Sequence, residues 1–237
     1  MALPKIKHPV FKLKIPSTGK VVSYRPYTVQ EEKLLLIVRM SEDIDEIIDA
    51  VKQIVNNCIL DNIDVDSLAM FDIEYIFINL RKVSVGNVVE LIYTDEDKKY
   101  PFTVDLEQIE VKFNDDNKKT IDLENGLGIV LKYPNMKSSI KVEFDLRVSL
   151  LKPTDVEAGV FDMIIDCVDY IFDEEKIYKE FTKEELKDFI LSLSLTNLDK
   201  IHRFFKTLPA VQHDVEVDVK GEKRRVTLRG MKDFFSF

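Results

Sequence analysis

The stretch Phe71-Asp72-Ile73-Glu74-Tyr75-Ile76-Phe77-Ile78-Asn79-Leu80-Arg81-Lys82-Val83-Ser84-Val85-Gly86-Asn87-Val88-Val89-Glu90-Leu91-Ile92-Tyr93 decides the fold class. Up to Val83, apolar side chains fall on most sides of a 3.6-residue period, which predicts a well-buried helix over 71–83. Gly86 is a stop, since glycine takes the left-handed conformation at a helix end without a Cβ clash. From Val88 the pattern changes to short strands, expected at Val88–Tyr93, Phe102–Leu106, Ile109–Phe113, Thr120–Leu123 and Leu127–Tyr133. Asp95-Glu96-Asp97-Lys98-Lys99 and Asn114-Asp115-Asp116-Asn117 supply turns between them. Ile140, Val142, Phe144, Leu146, Val148 and Leu150 alternate with polar residues, which predicts one more strand.

Upstream, Phe11, Leu13 and Ile15 alternate with Lys12 and Lys14, and Pro16-Ser17-Thr18-Gly19 turns the chain into Val21–Tyr24. That is a hairpin with lysines on its wet face. Thr28-Val29-Gln30-Glu31 fits a capping box, so a helix should run from there to about Met40. Ile44, Ile47, Ile48, Val51, Ile54, Val55, Cys58 and Ile59 then trace one apolar stripe at helical spacing.

Downstream, Thr154-Asp155-Val156-Glu157 and Thr182-Lys183-Glu184-Glu185 are further capping boxes, and helices are expected after each. Leu186, Phe189, Ile190 and Leu193 form the stripe of the second. Thr196 is expected to cap another helix, carrying Leu198, Ile201, Phe205 and Leu208 and ended by Pro209. Val211–Val219 and Arg224–Leu228 alternate around Lys220-Gly221 as a closing hairpin. The order gives an α+β protein in three segments: an N-terminal hairpin and helices (1–86), a β-rich module (87–152), and a helical segment with a C-terminal hairpin (153–237).

The 237 residues carry 34 basic and 43 acidic side chains, a net charge of −9. A generic nucleic-acid binder needs a basic surface to release counterions, so that class is disfavoured. Met1-Ala2-Leu3-Pro4-Lys5 lacks the apolar core of a signal peptide, and the longest wholly apolar run is Leu34–Val38. With only Cys58 and Cys167 present, a soluble protein of a reducing compartment is expected.

Both cysteines lie on apolar helical stripes and read as core residues. His8, His202 and His213 have no ligand-spaced partner, and Asp61, Asp64 and Asp66 lack the glycine and glutamate of a calcium loop. Gly126-Leu127-Gly128 reads as turn geometry, and no phosphate-loop, nucleophile-elbow or HExxH motif occurs. No catalytic residue, cofactor site or metal site is therefore expected.

Three surface features invite a partner. Asp162, Asp166, Asp169 and Asp173 share one narrow face if the chain after Pro153 is helical throughout. Lys220, Lys223, Arg224, Arg225 and Arg229 gather on the closing hairpin, and Phe234, Phe235 and Phe237 end the chain. Each has a plain structural reading too, as solvated faces and as side chains tucked into their own core.

Three stretches, with a fourth, resemble a known family. The first is Leu13-Lys14-Ile15-Pro16-Ser17-Thr18-Gly19-Lys20 running into Tyr24-Arg25-Pro26-Tyr27-Thr28-Val29-Gln30-Glu31-Glu32-Lys33-Leu34-Leu35. The second is Phe71–Phe77 continuing to Leu80-Arg81 and Ser84-Val85-Gly86. The third is Phe204-Phe205-Lys206-Thr207-Leu208-Pro209 with Gly230-Met231-Lys232-Asp233-Phe234-Phe235, and Gly128–Pro134 accompanies them. Together they resemble the T4-like bacteriophage baseplate hub assembly family.

The resemblance implies a non-enzymatic protein that binds other baseplate hub proteins, as hub subunit or assembly chaperone. It would work in the cytoplasm of the infected bacterium or in the virion baseplate, with no membrane and no nucleic acid as partner. Self-association is left open. Some relatives carry cysteine pairs in the hairpin corresponding to Tyr93–Tyr100, but Thr94-Asp95-Glu96-Asp97-Lys98-Lys99 stands there, so no metal is expected. Under this reading Phe234, Phe235 and Phe237 would anchor a partner, Arg224, Arg225 and Arg229 would orient it, and the four aspartates would dock a basic surface. Two other readings stay open, a nucleic-acid module on the basic hairpin and a carboxylate-dependent hydrolase.

Overall fold

A computed structural model describes residues 6–41, 43–96, 98–140 and 161–234. The chain is α+β, and its contacts gather it into two units, residues 1–112 with 210–237 and residues 113–209. The three segments expected from element type follow chain order and cut across these units.

In the first unit, β1 (Phe11–Lys14) and β2 (Val21–Tyr24) form the expected hairpin, with Leu13 and Val22 paired and buried. α1 (Val29–Met40) starts on the Thr28–Glu31 capping box. α2 (Ile44–Cys58) buries Ile48, Val51, Ile54, Val55 and Cys58, as its stripe requires. α3 (Met70–Ser84) buries Phe71, Ile73, Ile76, Phe77, Ile78 and Leu80 on several sides. Full burial of each such side chain stabilises by about 1.5–3 kcal/mol, so this helix is a central element of the core.

β3 (Val88–Asp95) and β4 (Lys98–Asp105) pair in register, and Glu96 takes a positive φ of 47° in their turn. β5 (Glu110–Lys112) joins β10 (Ala210–Val219), which pairs along its length with β11 (Glu222–Arg229). The β10–β11 turn places Lys220 at φ 58° and Gly221 at φ 87°, the two left-handed residues that match the right-handed twist of a tight hairpin. The short α6 (Gly230–Phe234) packs against α3.

The second unit holds a four-stranded antiparallel sheet in the order β6 (Thr120–Asp122), β7 (Gly128–Leu131), β8 (Val168–Phe172) and β9 (Ile177–Tyr178). α4 (Lys183–Leu191) and α5 (Leu195–Lys206) complete it, and Ile129, Leu131, Ile164, Leu186, Ile190, Ile201 and Phe204 share one core. Gly128 allows the phenyl ring of Phe172 to close over the backbone, since a Cβ there would sit 2.2 Å from the ring.

Three expectations change in this unit. Residues 161–167 are helical, but the chain then becomes strand β8, so the helix does not continue to Asp173. Edge-to-edge pairing with β7 outweighs the local helical spacing, and Val168, Tyr170, Ile171 and Phe172 are residue types that suit a strand. Ser194, not Thr196, caps α5, and its hydroxyl accepts from the Asn197 N–H. Residues 136–140 are helical, so the strand expected from Ile140 does not begin there; the rest of that strand and the Thr154 capping box lie outside the described residues.

Candidate functional site

The buried carboxylates and thiols among the described residues serve the fold. Glu31 is fully buried at the start of α1. Its carboxylate accepts from Arg25 Nη2 at 3.0 Å, Thr28 N at 2.8 Å, Thr28 Oγ1 at 2.7 Å and Asn57 Nδ2 at 3.1 Å. Burial pushes its pKa upward, but these donors, led by Arg25, outweigh burial and hold it at about 2. A carboxylate so saturated is a brace between the α1 start and α2, not a base.

Asp72, also fully buried, accepts from Ser17 N at 2.9 Å and Ala69 N at 3.1 Å, which ties the β1–β2 turn to the start of α3. Burial raises both thiols, Cys58 and Cys167, to about 12, so each is a protonated core group at neutral pH. Among the described residues no group of three or more His, Cys, Asp or Glu could hold a metal ion. A shallow groove of about 230 Å³ in the second unit is rimmed by Asp116, Lys118, Asp122, Lys200 and Arg203. Its rim mixes charge signs, and Lys200 Nζ already donates to the Asp122 carbonyl at 2.9 Å.

Most cations of the basic hairpin are paired by carboxylates of its own chain. Lys220 pairs with Glu96 at 2.9 Å, Lys223 with Glu216 at 3.0 Å, Arg224 with Asp95 at 2.9 Å and Arg225 with Asp214 at 2.7 Å. Thr227 and Arg225 hold the Asp214 carboxyl at about 2, so the Arg225–Asp214 pair persists across the physiological range. Arg229 has an exposed side chain, and its backbone N–H donates to Asp233 at 2.7 Å. Four of the five cations expected to form a basic patch therefore stand in exposed ion pairs with carboxylates of the same chain.

The acidic stripe is broken. Asp162 and Asp166 lie on the helical residues 161–167, Asp169 on β8, and Asp173 in the turn after it. Asp166 accepts from Lys183 Nζ at 2.8 Å, and Asp173 accepts from Lys176 N at 2.8 Å and from the Tyr178 hydroxyl. They present no common face, because a strand turns side chains every second residue and a helix every 100°. Phe234 is fully buried in the cluster that holds Ile78, Val211 and Leu228, so it anchors its own fold. Phe235 and Phe237 lie outside the described residues.

The surface that sequence reasoning missed is α1. Its only fully buried side chain among those described is Glu31. Leu34, Leu35 and Ile37 are half-buried, while Val29, Leu36 and Met40 are exposed at 75%, 47% and 82%. Positions 29, 36 and 40 fall on one side of the helix at i, i+7 and i+11. The signal was the Leu34–Val38 run itself, since five successive apolar residues surround a helix and exceed what one packed face covers.

Among the described residues no helix is long and apolar enough to cross a membrane. No curated protein and no solved structure matches the chain. A family model described as T4 bacteriophage base plate protein matches residues 8–236, which is nearly the whole length. The match spans both structural units, and the chain belongs to the T4 bacteriophage base plate protein family.

Proposed function

We propose that this baseplate protein acts in building the baseplate's central hub, by binding other hub proteins and without catalysing a reaction. The observation that carries the reading is the exposed apolar side of α1, with Val29, Leu36 and Met40 in water. Large apolar side chains exposed together on one side of a helix mark a surface that a partner covers. The saturated carboxylates and protonated thiols support a binding role over a chemical one.

Substituting Leu36→Glu with Met40→Glu places two charges on that face while leaving the buried Glu31 brace alone. Co-expression with the hub proteins of the same baseplate should then lose capture by at least thirty-fold, the scale of one interface hot spot of about 2 kcal/mol. Unchanged capture by a folded double variant would reject α1 as the docking face. Hub subunit and assembly chaperone separate in purified virions, where a subunit is retained and a chaperone is absent.

A further inference from the structure

β11 is the last strand of its sheet, and among the described residues no strand pairs with its outer edge. The two-residue turn at Lys220-Gly221 makes Val219 and Glu222 the first hydrogen-bonded pair of the β10–β11 ladder. An antiparallel ladder alternates, so Lys223, Arg225 and Thr227 turn their N–H and C=O groups away from β10. Arg229 keeps the same phase, and its outward N–H donates to the Asp233 carboxylate at 2.7 Å. An acid of the chain itself thus fills the Arg229 position, while Lys223, Arg225 and Thr227 remain open to a partner.

The side chains along that edge are sorted by charge. Lys223, Arg225 and Arg229 share one face of β11, and Asp214, Glu216 and Asp218 form an acidic column beside them on β10. The ion pairs between the columns leave the cations in water, with the Lys223 and Arg225 side chains 77% and 74% exposed. Surface pairs of this kind are weak, and an ammonium or guanidinium bonded once keeps donors for a second carboxylate. On the inner face, Val226 is half-buried at the rim of the core that holds Leu228. A strand added beside β11 therefore meets cations on one face and apolar surface on the other, at alternate positions.

We infer that the outer edge of β11 accepts an extended segment of another protein whose residues alternate acidic and apolar. Backbone pairing supplies affinity, and the column of cations supplies register and selectivity. A second copy of this chain fits poorly, since two antiparallel β11 edges would set Lys223, Arg225 and Arg229 against the same cations. The charges that keep like edges apart thus select an acidic one. A nucleic-acid strand fits poorly too, because its phosphates accept hydrogen bonds and donate none, which leaves the outward C=O groups unpaired. The surface lies on β11 and not on α1, so each reading can fail without the other.

The test follows amide hydrogen exchange by NMR in the full ¹⁵N-labelled chain. In the free protein the amides of Lys223, Arg225 and Thr227 should exchange fast, and those of Arg224, Val226 and Leu228 slowly. The probes are acetyl-Asp-Val-Glu-Val-Asp-amide, its Asn/Gln counterpart and an oligothymidylate of matching length, each at millimolar concentration. The acidic peptide should slow exchange at Lys223, Arg225 and Thr227, and cross-strand charge pairs should make it bind about tenfold more tightly than the Asn/Gln form. Arg225→Met keeps the outward N–H and should cut that preference about threefold. N-methylation at the acidic positions or at the valines should abolish binding in one form and spare it in the other, because only alternate N–H groups face β11. Slow exchange at Lys223, Arg225 and Thr227 in the free protein would overturn the assignment. So would no slowing by the acidic peptide, equal binding of the Asn/Gln form or the oligonucleotide, a preference unchanged in Arg225→Met, or indifference to both methylations.

Discussion

Replacing Glu31 by Gln keeps the shape of the side chain and removes its charge from a buried site with five hydrogen-bond donors. The carboxyl sits at about 2 against an ordinary 4.5, a depression of about 2.5 pH units. At about 1.4 kcal/mol per unit, the ionised form is worth about 3 kcal/mol to the folded state at neutral pH. Because the folded value lies below the unfolded one, this contribution is complete above about pH 4.5 and fades as pH falls toward 2.

Urea unfolding at pH 7 should therefore show Glu31→Gln destabilised by about 3 kcal/mol, with an unchanged denaturant slope. Repeating it at pH 3 should narrow the gap between parent and variant by more than half. Comparing the two proteins at each pH cancels the other titrating carboxylates. In a cycle with Arg25→Met the two substitutions should be strongly non-additive, because each leaves the other's charge buried. A gap that is the same at pH 7 and pH 3, or below 1 kcal/mol at pH 7, would refute the brace.

Phe234→Ala should cost about 3–5 kcal/mol in chemical unfolding, as a large cavity beneath α6 requires. Truncation after Gly230 should likewise destabilise the chain; a truncated form as stable as the parent would show that the buried ring contributes little. Gly128→Ala should lower thermal stability by about 1–3 kcal/mol, because the new methyl meets the Phe172 ring at 2.2 Å. Adding Phe172→Leu should recover most of that loss, and failure to recover would place the strain elsewhere. Neither Cys58 nor Cys167 should react with a thiol reagent in native buffer at pH 8, while both should react in urea, given thiols at about 12. Fast labelling of the native protein would contradict their burial.

Much of the fold was legible because its signals are local. The Thr28 and Thr182 capping boxes, the α2 stripe and the Lys220-Gly221 turn each state their geometry within a few residues. The run through Asp173 was not, because its apolar residues suit a helix as well as a strand. Pairing with β7, some forty residues earlier in the chain, decided between them. The surface was harder still. Arg224 finds Asp95 across 129 positions and Lys220 finds Glu96 across 124, so a cluster that looks cationic in one dimension is mostly paired in three. Phe234 looked two-sided because a chain end carries no periodicity, and only the contacts of α6 with α3 place it inside.

The pairing of β5 with β10 also sets an order of events during synthesis. Residues 113–209 leave the ribosome as an uninterrupted stretch holding every strand and helix of their own unit. The first unit must wait with its third sheet open until Ala210–Arg229 emerge. The inserted unit can therefore ripen first, while the first unit stays vulnerable to proteases and stray edge pairing until Ala210–Arg229 are made.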